Sequence, residues 1–336
     1  MHFLGGSHQC YNDVDVDHMM LGELKHMQYR KLGKNGPEIS AIGFGSWATG
    51  GDWGGQDDQQ SIESVRAALD AGVTFFDTAP VYGLGHSEEI IGKALKGDRS
   101  NVVLATKCGL VWDENKKVSR NGSYDSILRE AEDSLRRLGT DYIDLYQMHW
   151  PDTDTNASAE ETMRAMDKLV QDGKVRFVGV SNYSIPLLEE SLAVRHVDSL
   201  QPPYSILRPA VEKEILPYCQ EKGIGVVSYS ALTSGLLSGN YTYDTTFSEN
   251  DWRSRNKAHT VDLKSNVDRA EKLKVIANQY GITLPQLAVA YILMHPAITS
   301  SILGVRKPSH ILGVLPAIDV KLDEATLAEI RAIAVS

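Results

Sequence analysis

From residue 41 onward, short apolar runs alternate with longer segments of mixed polarity. The runs AIGFGSW (41–47), VTFFDT (73–78), NVVLATK (101–107), YIDLYQMH (142–149), VRFVGVSN (175–182), DSLQPPY (198–204), IGVVSYSAL (224–232) and ITSSILGV (298–305) read as strands. Between the first seven of them lie segments that read as helices, over 57–72, 87–97, 123–139, 158–173, 185–195 and 210–223. In the first, Ile62, Val65, Ala68 and Leu69 share one face. The helix punctuation agrees: Ser123 or Asp125 can cap the third helix, Gly139 can stop it, and Ser158 with Glu161 has the spacing of a capping box. A long polar loop precedes two helices near 264–280 and 284–295, and the chain ends with a short helix at 308–315 and another at 323–334.

Strands that are joined through helices run parallel, because a tight turn cannot connect them. Eight such units over about 300 residues predict an α/β fold of the (β/α)8 barrel type, with extra helices near the C-terminus. No Gly-x-Gly-x-x-Gly follows the first strand, which argues against a doubly wound dinucleotide fold. The segment QYRKLGKNGPEISAI reads as two short strands around Asn35-Gly36, a hairpin that could plug the N-terminal end of a barrel. Residues 1–26 carry neither a helix nor a strand period, nor a signal-peptide pattern. They are expected to be an extension, from a cloning junction or an upstream start, in front of a single barrel domain at 27–336. His8, Cys10 and His18 in that extension are too loosely spaced to indicate a metal site.

Composition narrows the function class. The chain has 42% hydrophobic and 23% charged residues, which suits a soluble globular enzyme. A net charge of −10 without a basic run argues against nucleic acid, and no apolar run is long enough to span a membrane. Three cysteines, Cys10, Cys108 and Cys219, make no disulfide framework and fit the cytoplasm.

The stretch FFDTAPVYG (75–83) runs two aromatics into a carboxylate and then presents a phenol. Separately, Asp77 could be a helix cap, Tyr82 a turn tyrosine, Lys107 a snorkelling strand-end lysine and His149 a core histidine. In a barrel, however, the C-terminal strand ends converge on one mouth, where such enzymes carry their chemistry. Asp77, Lys107 and His149 end three consecutive strands, and Tyr82 lies in the loop after the first of them. A carboxylate can hold the lysine, the ammonium is expected to lower the phenol's pKa from about 10, and the imidazole can place a carbonyl oxygen. Such a set can protonate a carbonyl that is being reduced, or deprotonate an alcohol that is being oxidised.

In the contexts FFDTAPVYG, LATKCG and LYQMHWPD, these four residues resemble the catalytic tetrad of the aldo-keto reductase superfamily. The likeness runs over residues 28–336, through GKVRFVGVSN, LQPPYS, VSYSALTSGLLSG and ILGVRKPS, and is nearest to the bacterial branch with general-stress reductases and glycerol-type dehydrogenases. It implies a nicotinamide dinucleotide held across the barrel mouth, NADP(H) in preference to NAD(H), and a small carbonyl or polyol substrate such as glyceraldehyde. By the same resemblance Ser181, Asn182 and Gln201 hold the carboxamide and Tyr229 stacks on the nicotinamide ring. Ser230, Leu232, Ser234, Gly235 and Leu237 follow the pyrophosphate, with backbone N–H groups near the phosphates. Arg306, with Lys307, takes the 2′-phosphate; Ser46, Trp47, Gly304 and His310 complete the cofactor contacts. Trp47, Trp112 and Trp150 line the substrate pocket, with the 241–263 loop as a lid.

The helix after the last strand departs from the family pattern at His310, Gly313 and Val314, and Leu303 replaces a usual proline. These changes bear on the adenine end of the cofactor. The resemblance also allows a cofactor-binding regulatory subunit like the potassium-channel β subunits. A metal-dependent barrel hydrolase would need clustered ligands at the strand ends, where only His149 is available. The assembly expected is a monomer or small homo-oligomer.

Overall fold

The computed structural model describes residues 27–50, 57–249 and 251–336; the extension at 1–26 lies outside them. Strands β1 (Tyr29–Lys31) and β2 (Glu38–Ser40) form an antiparallel hairpin. After it come β3 (Ile42–Gly45), α1 (Asp58–Asp70), β4 (Phe75–Asp77), α2 (His86–Ala94) and β5 (Val103–Cys108). A second hairpin, β6 (Leu110–Trp112) with β7 (Val118–Arg120), precedes α3 (Tyr124–Leu138), β8 (Ile143–Met148), α4 (Ala159–Gln171) and β9 (Val175–Ser181). The alternation continues with α5 (Ile185–Val194), β10 (Ser199–Gln201), α6 (Ile215–Lys222) and β11 (Gly225–Ser228). The chain finishes with α7 (Leu263–Gln279), α8 (Leu284–Met294), β12 (Ile298–Gly304), α9 (Pro308–Leu312) and α10 (Glu324–Ala334).

Strands β3, β4, β5, β8, β9, β10, β11 and β12 pair in parallel into a closed barrel, the expected (β/α)8 architecture. Alternation along the strands divides two cores. Phe75, Ala105, Leu145, Val227 and Ile302 pack inside the barrel, whereas Phe44, Phe76, Leu104 and Tyr146 belong to the larger shell under the helices. Leu32 and Ile39 of the first hairpin insert into the inner cluster, both with no exposed surface. Burying each contributes about 1.5–3 kcal/mol. Arg30 donates to the carbonyl of Ile298, the first residue of β12, at 2.8 Å, so the hairpin sits at the N-terminal end of the barrel, opposite the C-terminal mouth.

Helix boundaries agree with the sequence to within a few residues, with three local differences. Ser158 accepts from the Glu161 N–H as a cap, but the Glu161 carboxylate turns away to accept the Tyr124 N–H at 2.9 Å. It therefore caps α3 in place of closing its own box. The helix expected at 210–223 breaks into a 3-10 turn, Ala210–Glu212, and α6, while Glu212 receives hydroxyls from Tyr204 and Tyr291 at 2.6 and 2.7 Å. The short helix expected at 308–315 ends at Leu312, and a 3-10 turn follows at Leu315–Asp319.

Candidate active site at the barrel mouth

The alternation that buries Phe75, Ala105, Leu145 and Val227 inside the barrel also aims the residues two positions further on at the same interior. Those residues are Asp77, Lys107, Gln147 and Tyr229, one layer nearer the C-terminal mouth. This answers the puzzle of FFDTAPVYG: Phe75 and Asp77 point inward, and Phe76 points outward.

Lys107 has no exposed surface, and its ammonium donates to Asp77 Oδ1 at 2.6 Å and to the Thr78 carbonyl at 2.9 Å. The other carboxylate oxygen of Asp77 accepts from Gln201 Nε2 at 2.9 Å and Gln147 Nε2 at 3.2 Å. Both charges of the ion pair are thus hydrogen-bonded, the condition under which a buried charge is tolerated. The Lys107 ammonium lies 5.2 Å from the centre of the Tyr82 ring, and the His149 ring meets Tyr82 edge-on at 5.8 Å. All four tetrad candidates therefore converge.

The protonation states differ from the sequence expectation in one respect. Burial, and then the Asp77 charge, push the Tyr82 phenol well above 10, where a lowered value was expected. The physical reason is first burial, which disfavours the phenolate, and second the negative charge of Asp77 close by. Burial, and then the Lys107 charge, hold the His149 imidazole well below 6.5. At neutral pH the mouth therefore holds a protonated phenol beside an uncharged imidazole.

Tyr82 is fixed by its turn. The Ser87 hydroxyl sits among Thr49 Oγ1 at 2.8 Å, Thr78 Oγ1 at 3.0 Å, and Ser46 Oγ and O at 2.8 and 3.1 Å. Gly50 and Gly83 pack backbone to backbone; a Cβ on Gly83 would come 2.4 Å from the Gly50 carbonyl oxygen. Ser46, expected to touch cofactor, is instead fully buried in this hydroxyl cluster. Its N–H is given to the Asp77 carbonyl at 3.0 Å, so it supports the site from beneath.

The other expected cofactor residues fall into two groups. Ser181 and Gln201 end neighbouring strands, and Ser181 Oγ donates to the Gln201 carbonyl at 2.8 Å. Asn182, in the left-handed region at φ 62°, donates to the His149 carbonyl at 3.1 Å and accepts from the Tyr229 hydroxyl at 2.9 Å. Ser230, Thr233 and Ser234 also take positive φ, at 68°, 48° and 54°, a concentration of strained backbone typical of ligand-binding loops. Within that loop the N–H groups of Gly235 and Leu237 both turn inward to the Leu232 carbonyl, at 3.0 and 3.1 Å, and Leu237 is fully buried. Those two N–H groups are therefore not aimed at phosphate, contrary to the sequence reading. At the far end, Arg306, Lys307 and His310 follow β12 with exposed side chains, next to the exposed Gly304.

The three pocket tryptophans do not form one wall of equal standing. Trp47 lies over Tyr82 at 6.5 Å, and Trp252, from the 241–263 loop, lies over Trp47 at 5.5 Å. Trp112 sits on the β6–β7 hairpin, and Trp150 lies under the Arg120 guanidinium at 5.3 Å. The sequence reading missed Gln147, Ser87 and Trp252. Period-two spacing back from His149 would have found Gln147, whereas Ser87 and Trp252 carry no periodic signal.

Comparison with known proteins agrees with this geometry. Residues 41–335 match the model of the Aldo/keto reductase family. The chain is 42% identical to aldo-keto reductase YhdN of Bacillus subtilis, over 85% of this chain and 87% of that one. It is 34% identical to an NADH-specific methylglyoxal reductase of Escherichia coli, over 90% of this chain and 97% of that one. Among solved structures it resembles glycerol dehydrogenase AKR11B4 of Gluconobacter oxydans, with a TM-score of 0.83 and 36% identity, over 91% of this chain and 94% of that one.

Proposed function

Since the chain belongs to the aldo/keto reductase family, we propose that it is an NADP(H)-dependent reductase of small aldehydes and ketones, running in reverse on small polyols. The observation that carries this reading is the buried Lys107–Asp77 pair beneath Tyr82 and His149 at the C-terminal mouth. The mouth also suits a nicotinamide dinucleotide. Hydroxyl and amide groups of Ser181, Asn182 and Gln201 gather at one end, Tyr229 offers a half-buried aromatic face, and Arg306 and Lys307 offer exposed cations at the other. The bound nicotinamide supplies the hydride.

The residues of the chain manage the oxygen. The neutral His149 ring can donate an N–H to the substrate carbonyl and orient it over Tyr82. As the carbonyl carbon gains hydride, its oxygen takes the Tyr82 proton, and the buried Lys107 ammonium stabilises the phenolate left behind. In the reverse direction the phenolate removes the alcohol proton. Asp77, with Gln147 and Gln201, keeps Lys107 in place. Glyceraldehyde-sized hydroxyaldehydes suit the polar mouth, and the glycerol dehydrogenase likeness supports polyols as the reverse substrates. Because one relative is NADH-specific, the preference for NADP(H) rests on Arg306 and its pairing with a 2′-phosphate.

A panel of aldehydes and polyols assayed with NADPH and NADH tests the reading. Turnover of glyceraldehyde-sized aldehydes, faster with NADPH, is the expected result. Tight NADPH binding with no turnover of any carbonyl would overturn it in favour of a regulatory subunit.

A further inference from the structure

On α3, outside the barrel, the partly buried Glu130 reaches the end of β5. Its Oε2 accepts the Gly109 N–H at 2.9 Å, and its Oε1 accepts the Ser126 hydroxyl at 3.0 Å. Gly109 stands two residues after Lys107 with φ +83°, where a Cβ would come 2.4 Å from Met148 Sδ and Cε. The same Cys108–Gly109 peptide presents its carbonyl to the His149 N–H at 3.0 Å. His149's own carbonyl receives Asn182 Nδ2 at 3.1 Å, and Asn182 Oδ1 receives the Tyr229 hydroxyl at 2.9 Å. One line of hydrogen bonds therefore crosses the barrel wall, from a carboxylate on the outer helix to the aromatic face at the mouth.

We propose that Glu130 is a positioning residue: as a carboxylate, acting through the Cys108–Gly109 peptide, it holds His149, Asn182 and Tyr229 in register for hydride transfer, and gaining a proton loosens that line. The proposal rests on the reductase reading above. An ionised carboxylate is a stronger acceptor than a carboxylic acid, so the bond to Gly109 weakens on protonation.

Burial raises the Glu130 carboxyl to about 7, against the Gly109 and Ser126 hydrogen bonds and the charges of Arg137 and Arg129, which lower it. The titratable or charged groups facing it are Cys108 on β5, Tyr146 on β8, and Arg129 and Arg137 on its own helix, with Glu88 on α2 beyond them beside Tyr146 and Arg137. Cys108 and Tyr146 are raised well above their ordinary values, chiefly by burial. Tyr82 and His149 are likewise displaced from neutrality, upward and downward. Within this line only Glu130 changes charge near pH 7.

The test is single-turnover oxidation of pre-bound NADPH by an activated aldehyde across pH 6–8.5, with the NADPH Kd measured in parallel by fluorescence quenching. The wild-type rate should rise about tenfold through a limb near pH 7, the effect of strengthening one hydrogen bond on becoming charged. Glu130→Gln, which mimics the neutral acid, should stay at the low-pH rate throughout. Ser126→Ala keeps the carboxyl but removes a bond that favours its charged form, so the limb should move up by about one pH unit. The Kd profile needs no turnover and should follow the same limb in the wild type. It decides the proposal even if no aldehyde is reduced, an outcome that would count against the reductase reading alone. A limb near pH 7 retained in Glu130→Gln, or left in place by Ser126→Ala, overturns the assignment.

Discussion

Asp77→Asn is the sharpest perturbation of the site, because it keeps shape and removes only charge and one acceptor. Asp77 accepts from Lys107 at 2.6 Å on one oxygen, and from Gln201 and Gln147 at 2.9 and 3.2 Å on the other. As the glutamines stand, an amide can satisfy only one side. With its oxygen toward Lys107, its NH2 group meets two glutamine NH2 groups; turned over, it meets the ammonium. Turning both glutamine amides over would satisfy the amide, since the Gln201–Gln147 contact at 3.4 Å can reverse, but the Lys107 ammonium would still face a neutral oxygen in place of a carboxylate. Lys107 has no exposed surface through which water could stand in. Breaking a buried pair from one side costs about 3–5 kcal/mol, and that range is the expected loss in urea denaturation. Hydride transfer, followed by single-turnover oxidation of pre-bound NADPH, should slow by about 10²-fold or more, because the ammonium that stabilises the phenolate is displaced. A variant within about 1 kcal/mol of wild type that transfers hydride at the wild-type rate would make Asp77 an ordinary strand-end acid. The tetrad argument would then fail.

Tyr82→Phe removes only the hydroxyl, so kcat should fall by about 10²–10⁴-fold with NADPH affinity nearly unchanged; full activity would pass the proton-donor role to His149. Arg306→Ala should weaken NADPH by about tenfold or more and leave NADH nearly unaffected in binding titrations, since a charge-assisted contact is worth about 1.5–3 kcal/mol; equal weakening of both cofactors would remove Arg306 from the 2′-phosphate. Glu212→Gln tests the outer layer, where one carboxylate oxygen receives the Tyr204 and Tyr291 hydroxyls. It should cost about 1–3 kcal/mol in denaturation while kcat stays put, and a loss of kcat at unchanged stability would show that this cluster reaches the mouth.

The parts of the site that were legible in the sequence share one property. Asp77, Lys107 and His149 stand at or just past the ends of strands whose apolar runs are unmistakable, and a parallel barrel brings such ends together whatever the loops do. Strand position and residue type were enough to bring them together as one candidate set. The Tyr82 pKa was not legible in the same way. Its direction is set first by how deeply the phenol is buried and then by the nearness of the Asp77 charge, which depend on the closed fold and not on residue type. The β6–β7 hairpin was missed for a related reason: VWDENKKVS is short and largely exposed, with Lys116 at φ 63° supplying the turn where no glycine announces one.

The residues that hold the chemistry in place were the least legible, and their geometry explains why. Ser87 lies on α2, yet three of its partners, Ser46, Thr49 and Thr78, come from the loops after β3 and β4. In the 241–263 loop, Tyr241 and His259 both reach back to the Ser234 carbonyl, at 3.1 and 3.2 Å, and so tie the loop to the strained backbone beside Tyr229. Trp252 from the same loop covers Trp47. No period relates such partners, because each contact joins loops whose proximity exists only once the barrel has closed. Substitutions at Trp252 or His259 should therefore act on substrate and cofactor binding through the position of this loop, whereas substitutions at the strand ends act on the chemical step itself. That division follows from the fold: the strands fix the reacting groups, and long-range loop contacts fix what can reach them.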